Sequence, residues 1–196
     1  GKSTWVKQLV EELEALGRRV ARVSKTHCAS ARIDGVTADH WVRKHVLNGA
    51  CSVQYIWIEE CFQTDCNLMT QLAKLPINTH YLLSGDPEQF GAVMDHWRGS
   101  AVTPGAFARS SLYWALANGQ RLRLTTCRRA DAELFDFYSS CVSWGWRFAQ
   151  DLHQTLRDAR ERYHFDGPAR HNLVISHRHR RRLTKDAGKA VAPLRA

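Results

Sequence analysis

Two rhythms of apolar residues alternate along the chain, and together they outline a fold. Val6, Leu9, Val10, Leu13 and Leu16 recur at helical spacing, with Gly17 placed to stop the helix. Arg19-Val20-Ala21-Arg22-Val23 alternates and predicts a strand. Ala38 to Val46 predicts a helix ended by Asn48-Gly49, and Tyr55-Ile56-Trp57-Ile58 predicts a short strand running into Glu59 and Glu60. A helix over 65–75 carries Leu68, Leu72 and Leu75 along one side, and a strand over 80–83 ends in Ser84-Gly85-Asp86-Pro87. Residues 91–105 form a loop containing Gly and Pro. Helices over 110–117 and 131–142 flank a strand over 122–125. A longer Arg-rich helix is expected over 146–163, then a strand over 172–176 and a weakly patterned basic end from His177.

Strands alternating with helices imply an α/β fold with a parallel sheet flanked by helices. In such sheets ligands bind beyond the C-terminal ends of the strands. Glu59-Glu60, Gly85-Asp86 and the segment Thr125 to Arg129 each follow a predicted strand, so they should gather along one edge. Gly1-Lys2-Ser3-Thr4 opens the first helix, where backbone N–H groups and the helix dipole favour a phosphate. The same four residues match the end of the phosphate-binding loop, G-x-x-x-x-G-K-[ST].

Composition narrows the partners. The 196 residues are 44% hydrophobic and 24% charged, ordinary values for a globular protein. No run of eighteen apolar residues is present and no signal peptide is visible, so no membrane partner is expected. The six cysteines form no C-x-x-C pair, and the expectation is reduced thiols. The net charge of +9 favours a polyanion. Most of that excess lies late in the chain, where residues 155–196 hold eleven Lys or Arg against four Asp or Glu.

Hydrolysis of a nucleoside triphosphate needs a phosphate cradle, a magnesium ion, an oriented water and charge stabilisation at the γ-phosphate. Lys2 can reach β- and γ-phosphate oxygens, and the Ser3 hydroxyl can take a magnesium position. Of two acids after a buried strand, one can hold the metal and the next can orient the water.

The motifs then run in a recognisable order. Gly1-Lys2-Ser3-Thr4 resembles the end of helicase motif I, Val23 to Ser30 resembles motif Ia, and Gly35 to His40 resembles the adjoining G-x-T-x-x-H element. Ile56 to Cys61 resembles motif II, Leu83 to Phe90 resembles motif III, and Leu124 to Asp131 resembles the L-T-x-x-x-R-x-D segment. Residues 172–177 resemble the strand that opens a second RecA-like domain. The chain thus resembles the first RecA-like domain of a superfamily 1 helicase, of the RecD-like branch found in viral and mobile-element proteins.

That resemblance implies a RecA-like P-loop NTPase domain over 1–165, and over 166–196 either the start of a second such domain or a basic tail. It implies that Gly1, Lys2, Ser3 and Thr4 bind the nucleotide, with ATP as substrate, and that Ser3 and Glu59 support Mg2+. Glu60 would position the water, Gln89 would sense the γ-phosphate, and Arg129 would contact it, with Arg128 as the alternative register. Thr26, His27, Thr37 and His40 would lie along a path for single-stranded DNA, with RNA as the other candidate strand. Such a protein would be soluble and intracellular, in the nucleus or a virus-associated compartment. Trp5, Trp57 and Trp114 are expected in the core, and Trp41 and Trp97 are the candidates for base stacking.

The departures from the family pattern define an alternative. Glu59 stands where the family usually has Asp, and the extra methylene moves the carboxylate out by about an ångström or more. Cys61 replaces a serine-like donor. By the resemblance, the glycines of the motif I loop and its preceding strand would lie before Gly1, and the second domain would extend only through its first strand. The rival to a helicase is therefore a nucleic-acid-binding remnant that no longer hydrolyses ATP. A kinase is a third reading, disfavoured because G-D-P-E-Q followed by L-T-x-x-x-R-x-D has no evident use there.

Overall fold

The computed structural model of the chain describes residues 1–49, 51–89, 91–103, 105–143, 152–164 and 176–191. The chain divides into two compact units, Gly1–Val142 and Ser143–Ala196. The boundary expected at residue 165 falls outside the described residues.

The first unit is built on four parallel strands: β1 (Val20–Ser24), β2 (Val36–Thr37), β3 (Tyr55–Glu59) and β4 (His80–Ser84), in the order β2-β1-β3-β4. Helices cover both faces, as the alternating pattern predicts. On one face, helix α1 (Lys2–Ala15) lays Val6 and Val10 against Trp57 and Ile33, with Val20 and Leu82 at the margin. On the other face lie Ala21, Val23, Ile56 and Ile58. They pack against Trp41 and Val42 from one helical segment, and Leu68, Met69 and Leu72 from another. Strand β3 has four buried residues in succession, as befits a central parallel strand covered on both sides.

Local chemistry explains most of the boundaries. Gly17 ends α1 at φ 75°, where its N–H donates to the Glu14 carbonyl and the Arg18 N–H to that of Leu13. This is the Schellman arrangement that a glycine permits. Helix α2 (His27–Arg32) begins at Thr26, whose Oγ1 accepts from the Ala29 N–H at 3.2 Å. Neither α2 nor the two-residue β2 is evident in the apolar pattern. The helix expected over Ala38–Val46 is α3 (Ala38–Trp41) continued by a π-helical turn, Val42–Val46. Helix α4 (Cys66–Leu72) is capped by Asp65, which accepts from the Leu68 N–H at 2.9 Å.

The loop over 91–105 contains a small antiparallel hairpin, β5 (His96–Trp97) with β6 (Ser100–Ala101). It turns on Arg98 and Gly99, both at positive φ, the geometry two-residue hairpins favour. Helices α5 (Ser111–Leu116), α6 (Ala132–Ser143) and α7 (Leu152–Arg162) follow. Helix α8 (His177–Val191) corrects the expectation of a weakly patterned end. The strand expected over Leu122–Thr125 does not form: Leu122 and Leu124 are exposed, and among the described residues no strand pairs with them. Residues 172–175, expected as a strand, lie outside the described residues.

The tryptophans divide differently from expectation. Trp57 is fully buried as expected, but Trp5 and Trp114 are 46% and 42% exposed. Trp41, expected as a stacking surface, is a core residue. Trp97 is exposed, with the Arg98 guanidinium 5.9 Å from its ring centre. Among the described residues, Cys28, Cys51, Cys61, Cys66 and Cys127 are free thiols. No helix among the described residues is long and apolar enough to cross a membrane.

Candidate active site

The last residues of the strands form one row across the C-terminal edge of the sheet. Ser24 is in register with Thr37 on one side and Glu59 on the other, and Glu59 with Ser84. Residues in register on parallel strands point to the same face. Glu59 shares its face with Trp57, two residues before it, and that is the face covered by α1.

The buried carboxylate of Glu59 is held from several directions. Ser3, on the first turn of α1, donates its hydroxyl to Oε1, and Ser84 donates to Oε2. The Trp57 Nε1–H donates to the Ser84 Oγ at 2.6 Å, and the Ser24 hydroxyl donates to the Glu59 backbone carbonyl at 3.0 Å. A buried carboxylate is tolerated only when so satisfied. Ser3 and Glu59 are thus brought together across 56 positions of sequence. Ser24, Trp57 and Ser84 are supports that motif reading missed. The only trace of them in the sequence is that a serine closes each strand flanking β3.

Glu60 sits at the exit of β3 with φ 52° and ψ 46°, a left-handed conformation that is costly for a side-chain-bearing residue. Partial burial, then the neighbouring charges of Glu59 and Asp86, push its carboxyl above the usual range, while Lys2 and Arg32 pull the other way. The Lys2 ammonium lies 4.0 Å from the Asp86 carboxylate, in a half-exposed pair. Burial pushes the Cys61 thiol up to about 12, aided by the Glu60 and Glu59 charges, so it remains a neutral thiol.

Gly85 lets the loop after β4 approach this centre. A Cβ there would stand 2.8 Å from the Phe62 ring and 3.2 Å from the Cys61 backbone nitrogen. The Asp86 carboxylate accepts from the Glu88 N–H at 3.1 Å, and the Asp86 carbonyl from the Gln89 N–H at 3.2 Å. Gln89 itself is exposed and lines a cavity of about 320 Å³ with Phe62, Thr64 and Phe107. No described contact joins Gln89 to Lys2 or Glu60.

Arg129 is exposed as well. Its segment is tied to the rest through Cys127, whose sulfur lies 3.4 Å from the Tyr138 hydroxyl. Tyr138 also feels the Asp86 carboxylate, so this corner lies within electrostatic reach of the loop after β4. A Cβ on Gly1 would lie 3.7 Å from Leu124, which places the segment beside the start of α1.

The residues expected along a nucleic-acid strand occupy the neighbouring part of the edge. Thr26 and His27 follow β1, Thr37 ends β2, and His40 lies on α3; Thr26, His27 and His40 are exposed. Gly35 cannot carry a side chain, because a Cβ would sit 2.3 Å from the Arg22 carbonyl oxygen. That close approach seats β2 beside β1. Below them Lys25 bridges Asp39 at 3.0 Å and Asp65 at 2.9 Å, tying the end of β1 to α3 and α4.

This bridge has a pH signature. Partial burial would raise Asp65, but the Leu68 N–H and the Lys25 ammonium outweigh it and hold its carboxyl below the usual range. For Lys25, burial opposes the charge, yet the bonds to Asp65 and Asp39 hold its pKa above 10.5. A depressed carboxyl stabilises the fold above its unfolded pKa, near 3.8 here, and that contribution disappears as pH falls through the folded value. Thermal unfolding followed against pH should therefore show a loss below about pH 4 that is shallower in Asp65→Asn. Asparagine keeps the helix cap, so the comparison isolates the charge.

No family model matches the chain, and no curated protein matches it. Among the described residues no group of three or more His, Cys, Asp or Glu is gathered to hold a metal. Magnesium does not require one, since it commonly takes one or two protein oxygens with substrate phosphates and water completing its shell. The adjacent Ser3 hydroxyl and Glu59 carboxylate are hard oxygen donors suited to that use.

Proposed function

We propose that the chain is the nucleotide-hydrolysing part of an ATP-dependent DNA helicase or translocase that couples turnover to movement on single-stranded DNA. The observation that carries this reading is the meeting of Ser3 with Glu59, with Lys2, Glu60 and Asp86 alongside. An α-helix N-terminus, a lysine, a hydroxyl and two carboxylates in one place are the equipment for a magnesium-bound triphosphate.

In this reading the first N–H groups of α1 and Lys2 bind the phosphates, and Lys2 leaves Asp86 to do so. Ser3 and Glu59 would hold a magnesium ion, which supplies charge neutralisation on the phosphate oxygens. Glu60, kept from ionising easily by burial and by Glu59, orients the attacking water and takes its proton. Gln89 and Arg129 lie on loops at the same edge and would close on the γ-phosphate. Thr26, His27, Thr37 and His40 would carry the DNA strand, with RNA as the alternative. A nucleus or virus-associated compartment suits such an enzyme.

The remnant reading also has an observation in its favour. Both oxygens of Glu59 are engaged by serines, and that is how an acid retired from metal binding would be held. ATP hydrolysis by the chain, measured with and without single-stranded DNA, separates the two. Stimulation by DNA that is lost in Lys2→Ala supports the motor. DNA binding with no turnover supports the remnant, and a chain that binds neither ATP nor DNA overturns both.

A further inference from the structure

Helix α8 belongs to the second compact unit, and the site described above names none of its residues. Its fifteen residues, His177–Val191, include Arg178, Arg180, Arg181, Arg182, Lys185 and Lys189, against the single acid Asp186. Their placement is more telling than their number. At about 100° per residue, positions 178, 181, 182, 185 and 189 fall within an arc of about 100°, and Arg180 falls on the opposite side. The opposite arc is the apolar one in the sequence, with Leu183, Ala187, Ala190 and Val191.

Such a ridge is unfavourable by itself. Like charges three and four positions apart on a helix repel, and here 178 with 181 and 182, and 181 and 182 with 185, all do so. The side chains of Arg178, Arg181, Arg182 and Lys185 are exposed, and among the described residues no ion pair engages them. Asp186, one turn beyond Arg182, is the only acid the helix offers. The ridge therefore matches an external polyanion.

Its spacing selects among polyanions. Five cations lie over about 16 Å of helix axis, one per about 4 Å. One strand of a nucleic-acid helix carries a phosphate per about 3.4 Å. An anionic membrane is a poorer match, because an interfacial helix needs bulky Trp, Phe or Leu on its apolar side. This helix has one leucine, two alanines and a valine there.

We propose that the cationic ridge of α8 is a nucleic-acid contact surface that grips the phosphate backbone without reading sequence. It uses residues other than Thr26, His27, Thr37 and His40 and does not depend on ATP. The proposal stands apart from the motor reading, and its test needs no nucleotide.

The test is fluorescence anisotropy of the full chain on a labelled single-stranded DNA, without ATP, across a salt series. For single strands each phosphate contact contributes about 0.7 to the slope of log K against log salt. Replacing all five ridge residues with glutamine should reduce the slope by about 3.5 and weaken binding about a hundredfold or more at 0.1 M salt. The double variant Lys185→Gln/Lys189→Gln should remove about 1.4 of slope, and Arg180→Gln, on the opposite side, should remove none. Removing the repulsion leaves helical content unchanged or higher, which circular dichroism checks. An unchanged slope in the five-fold variant overturns the proposal. So does a loss with Arg180→Gln equal to that at a ridge position, because it would show net charge acting without the ridge. A third arm measures binding to vesicles of anionic phospholipid. Lipid binding that depends on the ridge while DNA binding does not would also overturn it.

Discussion

With the proposed ATP turnover as the readout, Glu60→Gln is expected to be strongly impaired while remaining at least as stable as the parent at neutral pH. Turnover should fall about 10²- to 10⁴-fold, the usual contribution of a general base. Stability should move the other way because the ionised carboxylate is poorly placed. Burial and the charge of Glu59 hold the folded pKa above its ordinary value of 4.5. A group so raised favours the fold most below its unfolded pKa, and that advantage is lost as pH rises through the folded value. At pH 7.5 the Glu60 charge is therefore a burden that the amide does not carry. The thermal midpoint of Glu60→Gln should equal or exceed that of the parent at pH 7.5 and show less change between about pH 4 and 8. A clear drop in the midpoint at pH 7.5 would assign Glu60 to structure instead of chemistry.

Trp57→Ala should be the most destabilising single change at the site. Trp57 is fully buried, packs against Val6, Val10 and Ile33, and donates its indole N–H to Ser84, which in turn donates to Glu59. Loss of an indole from such a position costs about 3–5 kcal/mol, a large share of the stability of an ordinary domain. Trp57→Phe separates packing from polarity. It keeps most of the apolar surface and removes the donor, so its cost should be nearer 1 kcal/mol. Denaturant unfolding of the two variants measures both. If Trp57→Phe costs as much as Trp57→Ala, the hydrogen-bonded relay and not the packing dominates at this position.

How far the site could be read from the sequence follows from what a linear pattern records. The strand β3 and its two acids were legible because four consecutive buried residues need no knowledge of a partner. Helix α1 was legible because its apolar spacing, its polar first turn and Gly17 agree. The supports of Glu59 were not, since a serine at a strand end looks the same whether it faces solvent or a carboxylate; only the register of β1, β3 and β4 distinguishes them. Leu122 and Leu124 show the converse. Alternation marks a segment able to form a strand, but a strand also needs a partner, and among the described residues none pairs with them. Trp5 and Trp114 fit helical spacing yet lie at the margins of their apolar faces, where an ångström-scale rotation decides exposure. The ridge on α8 leaves no mark in the apolar periodicity, because there the arginines carry the period.

The row Thr37–Ser24–Glu59–Ser84 also governs which changes in length the chain can absorb. Parallel strands have no tight hairpin to fix their alignment, so packing on both faces must do it. Deleting one residue within β3 would reverse the side-chain order from that point. Glu59 would then turn from Ser3 and Trp57 into the apolar layer formed by Leu68, Met69 and Leu72. The same deletion in the loop after residue 90 would shorten a surface connection and leave this row untouched. Lineages carrying this fold should thus vary freely in the reach of that loop while keeping the spacing from Trp57 to Glu59 invariant.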